Sequence, residues 1–180
     1  MIYRTNYARP EFCEVTLASD GESIVGLWMA GQKYFGGTVD GEMAPNDDLP
    51  AFMQAKDWLD RYFAGEQPAI AELPLKPSGT AFRLRVWRKL MEIPYGCVRT
   101  YGELAREIAQ EDGKENLSSQ AVGGAVGHNP ISVIIPCHRV VGSDGSLTGY
   151  AGGIERKIWL LEHEGASMEG LYVPACGTAL

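Results

Sequence analysis

Residues 133–141 set three reactive side chains into an apolar run. Val133, Ile134 and Ile135 lead into Pro136; Cys137, His138 and Arg139 follow at once, and Val140 and Val141 close the stretch. Runs of this kind are normally buried, and core packing has no use for a thiol, an imidazole and a guanidinium in succession. The pattern points to a cysteine nucleophile set into a buried wall. A thiol reacts as its thiolate, a minor form at neutral pH for a free pKa of about 8.5, so a base is needed, and His138 is adjacent. Neighbouring side chains on extended backbone point apart, so the two need a tight turn or a bridging water to communicate. The base in turn needs a third group to orient it. Glu164, 27 residues after Cys137 at the end of a helical stretch, is the candidate. The same residues also allow a blander arrangement: a structural Cys packed as a small hydrophobe, a surface His-Arg pair, and a solvated carboxylate that the helix dipole mildly disfavours.

The elements that must hold these groups can be read on either side. Tyr101 opens a helix whose Thr100-x-x-Glu103 is a capping box, with Leu104 and Ile108 on one face. A polar connection over 111–116 precedes a second helix over 120–127, capped by Ser118 or Ser119; the two read as a helix-turn-helix-like unit. The second helix carries Ala121, Gly123, Gly124, Ala125 and Gly127. Glycines weaken a helix, which makes sense if something packs very close, either a nucleic-acid backbone or another helix. A last helix over 154–163 puts Ile154, Ile158 and Leu161 inward, with Gly165 as its stop. Residues 167–180 read as a tail, and Cys176 within it as an incidental thiol.

Upstream, 12–17 and 24–29 read as strands of a hairpin around a turn at 19–22. Asp47 or Asp48 caps a helix to Phe63 with Phe52, Ala55, Leu59 and Tyr62 on its inner face. Pro68, Pro74, Pro77 and Gly79 mark a linker, and Thr80 opens a further helix to about 91 bearing Phe82, Val86 and Leu90. Two domains follow, 1–76 and 77–180. The 45% hydrophobic content of the 180 residues supports a real core. No apolar stretch has the length of a membrane span, the first ten residues lack the apolar segment of a secretory signal, and the four Cys suggest neither a zinc site nor a disulfide framework. A reducing cytoplasm is the expected compartment. The formal charge of −7 argues against a general nucleic-acid binder. The acidity is uneven, however: 1–77 hold six Lys/Arg against twelve Asp/Glu, and 78–180 hold ten against eleven.

Several spaced motifs in order resemble the O6-alkylguanine-DNA alkyltransferases. They are Ile-Pro-Cys-His-Arg-Val at 135–140, Ala-Val-Gly-Gly at 121–124, Asn129-Pro130, Gly-Tyr-Ala-Gly-Gly at 149–153 and the helical stretch 157–165. Val86-Trp87, Ile-Pro-Tyr-Gly at 93–96 and Thr-Tyr-Gly-Glu-Leu-Ala at 100–105 also fit. The resemblance implies an α/β protein: a small ribonuclease H-like N-terminal domain of antiparallel sheet plus helix, and a mainly helical C-terminal domain with a helix-turn-helix. It implies repair of DNA by irreversible, single-turnover transfer of an alkyl group to Cys137 from O6-alkylguanine, with O4-alkylthymine as a second candidate substrate. Glu164 would pair with His138, which contacts Cys137 through water. Tyr101 would give the leaving guanine its proton, and Asn129 would brace the active-site turn. Val140, Tyr150, Ala151 and Gly152 would hold the base, and Gln120, Ala121, Gly123 and Gly124 would meet DNA. Arg139 would tie loops together. The implied partner is double-stranded DNA with alkylated bases, met by a monomer with no cofactor, metal or membrane. The chain departs from the family at Gln120, where an Arg is usual, and weaker DNA binding is expected. Two other readings stay open, a non-enzymatic module that senses alkylated DNA and a thiol hydrolase using Cys137, His138 and Glu164.

Overall fold

The computed structural model describes residues 1–175, so Cys176 lies outside the described residues. The chain forms two compact units, Met1–Gly79 with Pro130–Ile134, and Thr80–Asn129 with the chain from Ile135 onward. No described helix is long and apolar enough to cross a membrane.

The first unit is a four-stranded sheet with a helix. Strands β1 (Ile2–Arg9), β2 (Cys13–Ser19) and β3 (Ile24–Met29) pair antiparallel in sequence order, and β4 (Met43–Pro45) lies parallel to β1. The antiparallel hairpin predicted for β2 and β3 is present; β1, not singled out by pattern, pairs along the other side of β2. Helix α1 (Pro50–Phe63) buries Phe52, Ala55, Leu59 and Tyr62 as their spacing predicts. Its N-cap is Leu49 rather than Asp47 or Asp48. Asp47 is engaged by the Thr5 hydroxyl and the Asp48 amide by Asn46. Pro50 starts the helix, where its missing N–H costs nothing.

Residues 130–134, assigned by sequence to the second domain, fold with the first unit. The Leu27 N–H donates to Pro130 O at 2.8 Å and the Ser132 N–H to Leu27 O at 3.0 Å. An unpaired edge of β3 would expose its backbone groups, and this segment covers it. Val133 has φ 69°, an uncommon left-handed conformation for a β-branched residue, so the apolar run before Pro136 is a buried turn and not a strand.

The second unit is built on α2 (Ala81–Met91), α3 (Tyr101–Glu111), α4 (Ser119–Gly127) and α5 (Ile154–His163). Short strands β5 (Arg99–Thr100) and β6 (Val140–Val141) pair parallel. Thr80 caps α2, and both bonds of the Thr100–Glu103 capping box form. Trp87 Nε1 donates to Ala125 O at 2.9 Å and pins α4 to α2. Residues 168–172, read as part of a tail, are packed: Met168 and Leu171 lie on the cluster of Val141, Leu147 and Leu161, and Tyr172 bridges to Ser146.

Candidate active site

Cys137, His138 and Arg139 form a single 3-10 turn, entered through Pro136 at φ −81°, ψ 65°. The Cys137 N–H donates to Ile135 O at 2.8 Å and the Arg139 N–H to Pro136 O at 3.1 Å. This tight turn, not extended backbone, gathers three consecutive side chains that would otherwise diverge. Asn129 braces it, donating from Nδ2 to Ile135 O at 2.8 Å and towards Cys137 Sγ at 3.1 Å. Asn129 and Ile135 flank the 130–134 excursion, so one amide closes its neck and reaches the sulfur.

Glu164 is not a solvated helix-end carboxylate. It caps the C-terminus of α5 with a side chain fully shut off from water. Its Oε1 lies 2.7 Å from His138 Nε2, and Arg139 donates to both its oxygens, from Nε at 2.8 Å and Nη2 at 2.9 Å. The Gly96 N–H adds a bond at 3.2 Å. Gly96 sits at φ 71°, and a Cβ there would lie 2.8 Å from Glu164 O, so only glycine allows this approach. Arg139 also donates from Nη1 to Ile93 O at 2.6 Å and lies over the Tyr95 ring. Its fork ties three segments together and is committed away from any substrate.

Burial drives Glu164 towards the neutral form, but hydrogen bonds from His138 and Arg139 and the charge of the Arg139 guanidinium outweigh it and hold the carboxyl well below its usual range. Complete burial depresses His138, more than the Glu164 contact raises it, so the ring is neutral at neutral pH. A carboxylate only accepts, which assigns the proton to Nε2 and leaves the lone pair on Nδ1. That atom is buried with no hydrogen-bond partner among the described residues.

Lys157 was not found by sequence reasoning. It is fully buried on α5, donating from Nζ to Val140 O at 2.5 Å and Thr148 O at 2.9 Å. Desolvation lowers its pKa to about 8, opposed by attraction to Cys137. A signal existed: position 157 lies on the same stripe as Ile154, Ile158 and Leu161, where a lysine is out of place. Tyr101 donates to the same carbonyl, Thr148 O, at 3.2 Å, and burial and Cys137 raise its pKa, so it stays protonated.

Tyr101 opens onto a cleft of about 520 Å³ whose walls include Gln120, Gly123, Gly124, Asp144 and Thr148. Gln120 and Ala121 are exposed on the first turns of α4. A Cβ on Gly124 would meet nothing within 4 Å, and one on Gly123 only the Tyr101 ring at 3.8 Å. Close packing within the unit therefore does not account for Gly124, and its face of α4 is bare. Val140 is buried with its carbonyl held by Lys157, and Tyr150 is buried in the turn closed by the Gly153 N–H on Tyr150 O. Ala151 is partly exposed, and the Gly152 carbonyl accepts from Arg156. The structure brings Cys137, His138, Glu164, Asn129 and Tyr101 to one centre and Gln120, Gly123 and Gly124 to the cleft. No group of three or more His, Cys, Asp or Glu side chains among the described residues could hold a metal ion.

Two family models match this chain. Residues 2–77 match the ribonuclease-like domain of 6-O-methylguanine DNA methyltransferase, and 81–166 match its DNA-binding domain. The chain belongs to the O6-alkylguanine-DNA alkyltransferase family. A methylated-DNA–protein-cysteine methyltransferase of Haemophilus influenzae is 43% identical over 91% of this chain and 86% of its own length. A Mycobacterium tuberculosis protein of the same name is 46% identical over 83% and 85%. Among solved structures, Mycobacterium tuberculosis OGT in complex with DNA matches with TM-score 0.76 and 40% identity, covering 96% of both chains. The match of this alkyltransferase to the DNA-binding model takes in Tyr101, Asn129, Cys137, Lys157 and Glu164 but ends before Tyr172.

Proposed function

We propose that this alkyltransferase repairs DNA by moving the alkyl group from O6 of guanine in a duplex to Cys137 Sγ, once per molecule. The observation that carries the reading is the buried His138–Glu164 pair, whose histidine shares the cysteine's turn. His138 Nδ1, its partner nitrogen fixed by Glu164, is the acceptor for the thiol proton, directly or through water. The buried ammonium of Lys157 favours the anionic sulfur. The target atom lies inside the duplex, so the nucleotide is turned out into the cleft beside α4, with Gln120, Ala121, Gly123 and Gly124 against DNA. Val140, Tyr150, Ala151 and Gly152 hold the base.

The Sγ–carbon bond forms as the carbon–O6 bond breaks, and the electron pair passes into the guanine ring. Tyr101 delivers a proton to guanine and recovers the one given up by the thiol, so no net proton is exchanged. The product is a thioether. Unlike an acyl-enzyme it has no carbonyl for water to attack, and the protein is consumed. It acts as a cytoplasmic monomer without cofactor or metal, with residues 1–76 as scaffold and 77–180, apart from the segment 130–134, as the DNA-binding and acceptor domain.

The test is incubation with duplex DNA bearing labelled O6-methylguanine, followed by intact-protein mass spectrometry. Label should reach a plateau at one equivalent on Cys137, and Cys137→Ala should take up none. Binding without transfer would instead indicate a damage-sensing module, and repeated turnover on an ester or amide a thiol hydrolase.

A further inference from the structure

Residues 167–172 lie beyond the DNA-binding match, yet Tyr172 is hydrogen-bonded to one wall of the cleft. That wall is the turn 142–146. Internally it is closed by the Gly142 N–H on Ser146 O at 2.9 Å, the Gly145 N–H on Gly142 O at 3.0 Å and the Ser146 N–H on Asp144 Oδ1 at 3.0 Å. From outside it is grasped by one residue. The Leu147 N–H donates to Tyr172 O at 2.8 Å, the Tyr172 N–H to Gly145 O at 3.1 Å, and the Tyr172 hydroxyl to Asp144 Oδ2 at 2.6 Å. Gly145 has φ 88°, and a Cβ there would run into Gly170 O, so turn and strap are fitted to each other. Met168 and Leu171 anchor the strap on Leu147 and Leu161.

Another wall is α4, pinned by the Trp87 hydrogen bond to Ala125 O. The turn 142–146 belongs to no helix, and beyond its internal hydrogen bonds and the buried Val141 and Leu147 at its ends it is held from outside by Tyr172. We propose that residues 168–172 are a positioning strap: Tyr172, through Asp144 and the backbone at 145 and 147, holds the turn where a nucleotide of duplex DNA must pass to reach Cys137. Tyr172 acts on the turn through Asp144, Gly145 and Leu147, so it is a positioning residue. The tie also keeps the Asp144 carboxylate directed at a phenol, where a loose anion on the cleft wall would repel a phosphate backbone. This inference rests on the functional reading above.

The test compares Tyr172→Phe with wild type on two substrates, duplex DNA containing O6-methylguanine and the free base O6-benzylguanine. The free base has no sugar-phosphate backbone. The duplex must also fit its backbone past the wall. Loss of the phenol bond should slow the duplex reaction about threefold to tenfold, the effect of one hydrogen bond, and leave the free-base rate within about twofold. Hydrogen exchange at the amides of Gly145 and Leu147 should quicken in parallel. Equal loss on both substrates would reduce the strap to a purely structural part, and unchanged rates and exchange would remove its role altogether; either result overturns the proposal. A wild-type chain that accepts alkyl groups from neither substrate overturns the functional reading itself, and is told apart by needing no variant.

Discussion

His138 Nε2 and Glu164 Oε1 lie 2.7 Å apart with both side chains closed to solvent, and that contact decides which ring nitrogen is basic. Glu164→Gln tests it. The glutamine can donate to Nε2 and favour the other tautomer, and it leaves the buried Arg139 guanidinium without an anion. Breaking a buried pair from one side costs about 3–5 kcal/mol, so the urea midpoint should fall sharply. Loss of an oriented base should slow alkyl transfer about 10²-fold or more. Unchanged transfer by the folded variant would remove Glu164 from the mechanism.

Acid should destabilise the protein in two stages. The folded pKa of His138 lies below its ordinary value, so as pH drops below about 6.5 the unfolded chain takes up a proton that the native state refuses. Glu164 is also depressed in the fold. Its contribution is complete above the unfolded value of about 4.3 and is lost as pH falls towards the folded one. Both effects make stability rise with pH. Urea titrations between about pH 2 and about pH 8 should show it, with a slope of at most about 1.4 kcal/mol per pH unit from each group. His138→Gln should flatten the upper stage; a variant as steep as wild type there would assign the titration to other groups.

Much of this site was legible before any fold was in hand. The Thr100–Glu103 box, the Thr80 cap and the inner face of α1 are local patterns, and each formed as spacing required. The Cys-His-Arg trio was legible because its chemistry has no place in an ordinary core. What escaped depends on pairing distant in sequence. The segment 130–134 reads as part of its neighbours until Leu27 is known to bond it on both sides. Residues 167–172 look like a tail until Tyr172 meets Ser146. Asp47 looks like a cap until Thr5, 42 positions away, claims it.

Lys157→Met should separate charge from packing. Methionine keeps most of the volume and removes a desolvated ammonium, offsetting the loss of hydrogen bonds to Val140 O and Thr148 O. Stability should change by less than about 2 kcal/mol. Without the cation the thiolate loses its attraction, so transfer at neutral pH should fall about tenfold or more, the effect of roughly 1.4 kcal/mol. The pH profile of Cys137 alkylation should move upward. A rate loss with no such displacement would assign Lys157 to loop geometry alone.

Gln120→Arg restores a cation where the family usually carries one. Position 120 is exposed in the first turn of α4 and borders the cleft. One additional phosphate contact should steepen the salt dependence of duplex binding by about 0.9 in log–log slope. Affinity at low salt should rise, and the transfer rate with it if Gln120 fills the gap left by the turned-out base. An arginine variant with unaltered affinity, salt slope and rate would place residue 120 away from DNA.

Gly124→Ala sets folding against docking. Gly124 is inside α4 with ordinary helical backbone, and a methyl group there would touch nothing within 4 Å. Alanine is better than glycine in a helix interior by about 1 kcal/mol, so the variant should be more stable than wild type, by a thermal shift of a few degrees. If the bare face exists to let a nucleic-acid backbone approach, the added methyl should weaken duplex binding and slow repair of duplex substrate, while free O6-benzylguanine reacts as before. Calorimetry and a duplex titration decide it. A variant that is both more stable and undiminished on duplex DNA would mean that the glycine serves neither the fold nor DNA approach, and that α4 meets DNA elsewhere along its surface.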